Sequence, residues 1–199
     1  MKLSIVALGH RMPDWVSAGY SDYASRLPRD WPLALVELKP EARDRGRSVA
    51  QLLDAESRRL DAACAGATVV ALDERGSPWS TRELATRLER WRESTSALSF
   101  VIGSADGLDD GFKSRAAARF SLSALTLPHA LVRVMLAEQI YRAASLLAGP
   151  PYHRDGRRRR EEEKEEEAHP EGCDARTRRG DGRAPAEVEE EEEAEAPRG

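Results

Sequence analysis

The chain has only two cysteines, Cys64 and Cys173, so neither a disulfide framework nor a four-ligand zinc centre can be assembled within it. It also lacks a metal-spaced set of His and Cys, a Walker loop, the paired-glycine fingerprint of dinucleotide binding and a nucleophile-elbow serine. Most familiar enzyme classes lose their support together. Long apolar runs are missing too. After Met1 and Lys2 the apolar stretch 3–8 stops at Gly9, His10 and Arg11, too short for a signal-peptide core and far short of a membrane span. These absences predict a soluble, cytoplasmic protein that needs no metal and touches no membrane.

The 199 residues carry a net charge of −4 with 33% charged side chains, but unevenly. Residues 156–199 hold ten Lys/Arg and sixteen Asp/Glu, net −6, which leaves residues 1–155 near +2. A body of that length buries roughly 70% of its extended-chain surface, enough for one core. The remainder is four arginines followed by glutamate-rich runs at 161–167 and 189–195, with Val188 as its only large aliphatic side chain. Such a segment cannot offset its ordering entropy by burial. The predicted division is therefore a folded domain over 1–155 and a disordered charged tail over 156–199, with at most a transient helix through 160–167. A body charge near +2 permits a nucleic-acid partner without demanding one.

What the body does contain is alternation. Short, nearly continuous apolar runs at 3–8, 33–38, 69–72, 98–102 and 120–125 read as five strands. Between them the period becomes helical, with Val16, Tyr20, Tyr23 and Leu27 on one face, then Val49, Leu52, Leu53 and Leu60 on another. Ser80 with Glu83 three residues on is a capping box ahead of Leu84, Leu88 and Trp91. Residues 109–119 give a weaker helix, and 131–147 a long one whose apolar face includes Val132, Leu136 and Ile140, ended by Gly149, Pro150 and Pro151. Alternating strands and helices predict an α/β fold with a mostly parallel sheet and flanking helices. Ligands of such sheets sit at the carboxyl ends of the strands. Three turn-rich loops qualify, at 73–80, 103–107 and 126–129.

Individual residues leave alternatives open. Gly103-Ser104-Ala105-Asp106-Gly107 is either a tight strand-to-helix turn or a loop whose backbone approaches a ligand. Glu138 and Arg142, at i and i+4, form either a surface ion pair or part of a site. His129, after Pro128, either caps its helix or contacts RNA. Lys39, Arg43, Arg45 and Arg47 either grip phosphates or decorate a solvated loop.

Ser121-Leu122-Ser123-Ala124-Leu125-Thr126-Leu127-Pro128-His129 makes the sequence specific, together with Gly9-His10-Arg11-Met12-Pro13-Asp14-Trp15, Leu72-Asp73, Pro78-Trp79 and Pro151-Tyr152-His153-Arg154. Residues 1–155 closely resemble the ribosomal RNA large subunit methyltransferase H family of the SPOUT superfamily. The resemblance implies a homodimer with a C-terminal trefoil knot. It implies S-adenosyl-L-methionine-dependent methylation of nitrogen 3 of a pseudouridine in large-subunit ribosomal RNA, on assembled ribosomes. Cofactor contacts are implied at Leu72, Gly103, Leu122, Ser123, Ala124, Leu125, Thr126 and Leu127, at the ends of the strands chosen above. Catalytic roles are implied for Glu138, Arg142 and His153, and RNA contacts for His129, Tyr152 and Arg154. The chain departs from the family at Ser104, where a second glycine is expected, and in its added tail. A non-catalytic RNA-binding module with the same fold is the alternative.

Overall fold

Strands that are apolar at successive rather than alternate positions must be covered on both faces. In the computed structural model, which describes residues 1–10, 12–43 and 46–149, this holds for β1 (Lys2–Leu8) and β4 (Ala97–Ile102): Ile5, Val6, Ala7, Phe100 and Val101 are wholly buried. With β2 (Leu33–Leu38), β3 (Thr68–Pro78) and β5 (Ala118–Ser121) they form a five-stranded, all-parallel sheet in the order β2-β1-β4-β3-β5. The helices are α1 (Asp14–Ser25), α2 (Val49–Ala63), α3 (Thr81–Ser94), α4 (Asp110–Arg115) and α5 (His129–Ala148). Leu3, Ile5, Leu98 and Phe100 pack on one face against Tyr20 of α1, Leu88 of α3 and Ile140 of α5. Val6, Ala71 and Val101 pack on the other against Leu60 of α2 and Phe112 of α4. The α/β architecture is the expected one, with α5 in contact with both α1 and α3. The order of these elements does not display the knot.

Local chemistry explains the helix starts. Ser80 Oγ accepts from the Glu83 amide at 3.2 Å while the Ser80 amide donates to Glu83 Oε2 at 2.7 Å, the expected box at the head of α3. A second box, Ser48 with Gln51, opens α2; its S-x-x-Q spacing was equally legible. His129 caps nothing: the N-cap of α5 is Pro128, and no side chain closes it.

Three boundaries differ from the expectation. The fourth helix stops at Arg115 rather than 119, because the Ala117 amide donates to Val69 O at 2.9 Å and Ala118 pairs with Val70. Sheet pairing overrides the helix propensity of the alanine run. The last strand spans 118–121 rather than 120–125. Beyond it Ser121 Oγ donates to Ser123 O at 2.9 Å, and Ser123 Oγ accepts from the Leu125 amide at 2.9 Å, so local side-chain bonds replace the ladder. Finally, β3 continues through the expected loop to Pro78: Leu72 and Ser77 both face Phe120, and residues 73–76 loop outward between them. Gly76 makes that return possible. A Cβ there would lie 2.8 Å from the N and C atoms of Phe120, a collision with backbone that no rotamer relieves. Gly76→Ala is expected to cost about 2–3 kcal/mol, seen as a lowered urea midpoint at unchanged slope.

Candidate functional site

The loop leaving β3 leads to α3 on one face of the sheet, whereas the loop leaving β4 leads to α4 on the other. Chains that part in this way open a crevice at the strand ends. A cavity of about 440 Å³ lies there, within the range of small-molecule sites. The outward loop within β3 and the ends of β4 and β5 form its walls, and the start of α5 closes it.

Of the residues implied as cofactor contacts, Leu72, Gly103, Leu122, Ser123, Leu125, Thr126 and Leu127 line this cavity. Ala124 lies in the same loop, exposed, and is not part of the lining. Ser104 and Gly107 exchange backbone hydrogen bonds, Ser104 N to Gly107 O at 3.1 Å and Gly107 N to Ser104 O at 2.9 Å, closing a tight turn. Ser104 thus fits this turn without a left-handed backbone, and the positive φ of +85° falls on Gly107. Gly103 is required for a reason the sequence did not show: its missing Cβ would stand 2.4 Å from Gly107 O. The turn folds back onto that empty position.

The charged lining was not foreseen residue by residue. Asp73, Glu74 and Arg75 enter it from the outward loop of β3, Asp106 from the β4 turn and Lys113 from α4. Lys113 Nζ lies 2.8 Å from Asp110 and 3.6 Å from Asp73. The hydrogen bond to Asp110, reinforced by Asp73, holds its ammonium above the usual lysine range. The arginines of the β2–α2 loop are not an open phosphate grip: Arg43 pairs with Asp106 at 2.7 Å and Arg47 with Glu41 at 2.6 Å. Arg59 joins Glu41 at 2.7 Å and donates to the Lys39 carbonyl. Arg45 lies outside the described residues.

At the cavity's edge, His129 begins α5 and lines the wall. One turn on, Arg133 is wholly buried, donating from Nη2 to Gly9 O at 3.0 Å and pairing through Nη1 with Glu37. Burial, and then the Arg133 charge, lower the His129 pKa below its ordinary value. Arg133 escaped the sequence reading, although a charge three and seven residues before Leu136 and Ile140 sits on the buried face and was a visible anomaly.

Glu138 and Arg142 pair as their spacing predicts, Arg142 Nε donating to Glu138 Oε1 at 2.8 Å. Neither lines the cavity. Glu138 is nine residues beyond His129, about 13 Å along the helix axis. Tyr152, His153 and Arg154, like Arg11, lie outside the described residues. Among the described residues no cluster of three or more His, Cys, Asp or Glu is arranged to hold a metal, and no helix is long and apolar enough to cross a membrane.

Fold and cavity together define a parallel α/β protein with a cavity of small-molecule size at its strand ends, a slot of leucines edged by loop backbone and a few charges. The profile described as "Predicted SPOUT methyltransferase" matches residues 1–153. The chain belongs to that SPOUT methyltransferase family of enzymes. It is 54% identical over 156 residues to the ribosomal RNA large subunit methyltransferase H of Thiobacillus denitrificans, covering 78% of this chain and all of that protein. It is 51% identical over 155 residues to the protein of the same name from Bordetella petrii, covering 77% and 99%. A solved structure, a probable methyltransferase from Bordetella pertussis, superposes with a TM-score of 0.48 at 17% identity, over 71% of this chain and 95% of that one.

Proposed function

We propose that this chain methylates large-subunit ribosomal RNA, transferring the methyl group of S-adenosyl-L-methionine to nitrogen 3 of a pseudouridine on assembled ribosomes in the cytoplasm. The observation that carries the reading is the cavity: seven of the eight residues that the resemblance marks for the cofactor line it. Its residues suit that ligand. Leu72, Leu122 and Leu127 offer an apolar slot for an adenine ring, and the loop amides and carbonyls beside them can read its polar edge. Asp73 and Asp106 also face this cavity, each beside a cation, Lys113 and Arg43 respectively.

The cofactor supplies an electrophilic methyl carbon on a sulfonium. When bound, it would supply its methyl group to nitrogen 3 and leave as S-adenosyl-L-homocysteine, and the imide proton would pass to a base. Positioning of the two reactants is the largest contribution the protein can make to such a displacement. In this reading Glu138 receives or orients the proton, Arg142 holds a phosphate or the developing negative charge, and His153 assists. Their distance from the cavity along α5 is reconciled by a two-fold dimer in which one protomer's α5 serves its partner's cavity. Leu131 and Leu146, 37% and 36% exposed on α5, support such an interface.

The test is transfer of labelled methyl from S-adenosyl-L-methionine to ribosomes that lack the modification. Stoichiometric incorporation, abolished by prior methylation of that nitrogen, is the expected result, with light scattering reporting a dimer at micromolar concentration. Saturable cofactor binding without transfer would make the chain an RNA-binding module of the same fold. The absence of cofactor binding would end the enzyme reading.

A further inference from the structure

Glu138 and Gln139 are neighbours on α5, and residues one apart on a helix point about 100° away from each other, so their side chains do not ordinarily meet. Here they do: Gln139 Nε2 donates to Glu138 Oε2 at 2.6 Å. Such a contact needs an outside anchor, and α3 supplies one. Thr81 Oγ1 donates to Gln139 Oε1 at 2.9 Å. The other oxygen of Glu138, Oε1, accepts from Arg142 Nε at 2.8 Å and from its Nη2. Four side chains from two helices thus form one partly buried chain of hydrogen bonds, from Thr81 through Gln139 and Glu138 to Arg142.

Chemistry fixes the direction of every link. An ionised carboxylate only accepts, so the Gln139 amide must turn its NH2 to Glu138 and its carbonyl oxygen away. That oxygen also only accepts, so the Thr81 hydroxyl has to donate. The start of α3 puts this hydroxyl in place: Ser80 is the N-cap of the capping box, which makes Thr81 the first residue of the helix, and α3 contacts α5 on the same face of the sheet. With Oε2 tied to Gln139 and Oε1 to Arg142, the Glu138 carboxylate is held against rotation at both oxygens. The Arg142 guanidinium, bonded through two nitrogens to one of them, is aimed by the same arrangement. A charged group fixed in advance needs no reorganisation when charge develops beside it.

We propose that Gln139 and Thr81 are positioning residues for methyl transfer: Thr81 orients the Gln139 amide, which fixes the Glu138 carboxylate and through it the Arg142 guanidinium. This rests on the reading above, in which Glu138 and Arg142 serve the reaction, and it ties their geometry to the packing of α3 on α5.

Methyl transfer by the full chain to unmodified ribosomes, at saturating S-adenosyl-L-methionine, tests it. Gln139→Leu, which keeps the bulk and removes both hydrogen-bonding atoms, is expected to lower kcat about tenfold, the value of one hydrogen bond to a charged group. Gln139→Glu, equal in size but acceptor-only when ionised, is expected to lower it further, because two carboxylates then face each other. Thr81→Val is expected to lower kcat about threefold, the value of a neutral hydrogen bond, and Thr81→Ser to retain the full rate. Combined with Gln139→Leu, Thr81→Val is expected to cost nothing more, since it acts through that amide alone. Calorimetric affinity for S-adenosyl-L-methionine is expected to stay unchanged throughout, because none of the four residues lines the cavity.

An unaltered kcat in Gln139→Leu overturns the proposal, as do single losses that multiply in the double variant. A fall in kcat matched by weakened cofactor binding overturns it too, since that is the mark of a general disturbance of the two helices. Should Gln139→Leu fail to fold, Thr81→Val against Thr81→Ser decides alone, and equal rates count against the proposal. Full activity in Arg142→Ala, or no transfer by the unaltered chain, would instead sink the reading of this site as methyltransferase machinery, and the positioning role with it.

Discussion

Gly103→Val is expected to weaken S-adenosyl-L-methionine binding by about a hundredfold while the chain still unfolds cooperatively. The cause is the tight turn that follows β4. A Cβ at position 103 would meet Gly107 O at 2.4 Å and Gly107 C at 2.5 Å, so the 104–107 turn must move by an ångström or more. The cavity wall moves with it, and displacements of that size are worth about a hundredfold at a positioned site. The fold has less at stake. Nearby, the Leu108 side chain is buried, but the strands that hold the core stay paired, so the stability loss is that of local overpacking, about 1–3 kcal/mol. Calorimetry and thermal unfolding of the same preparation separate the two effects. Tight binding by the valine variant would show that the turn is not part of the cofactor site.

Two truncations are expected to diverge just as sharply. A chain ending after Asp155 should methylate ribosomes as fast as the full chain, or faster, because the removed segment has a net charge of −6 and repels phosphate. With Val188 as its only large aliphatic side chain, it has no core to contribute. A chain ending after Pro150 loses Tyr152, His153 and Arg154 as well. Removing groups that stack on a base or handle its proton is worth about a hundredfold or more in rate. Cofactor affinity should change little, since the cavity's lining among the described residues falls within 72–132. Methyl transfer to unmodified ribosomes measures the first effect, and cofactor titration the second. Equal rates from the two truncated chains would reduce Tyr152 and His153 to a mere chain end.

The alternation of apolar runs with helical stripes determined the α/β class, and the rule that ligands sit at strand ends pointed to the loops that form the cavity. Those features are local: they depend on period, on capping pairs such as Ser80 and Glu83, and on glycines in turns. What the sequence could not yield depends on which distant residues meet. The alanine run at 116–118 left its helix because a strand edge at Val69 and Val70 was waiting for it. Gly76 read as a turn residue, and Gly103 as a turn or a ligand contact, until Phe120 and Gly107 were seen to occupy the space a side chain would need. The arginines near residue 43 could be either a phosphate grip or a solvated loop until folding brought Glu41 and Asp106 to them. Arg133 looked like one more charge on a helix, and only the approach of Gly9 and Glu37, 124 and 96 residues away in the chain, made it a buried clamp beside the cavity. Periodicity records which side of an element is buried. It carries no record of what lies opposite, and here the partner across the gap decides the shape of the site.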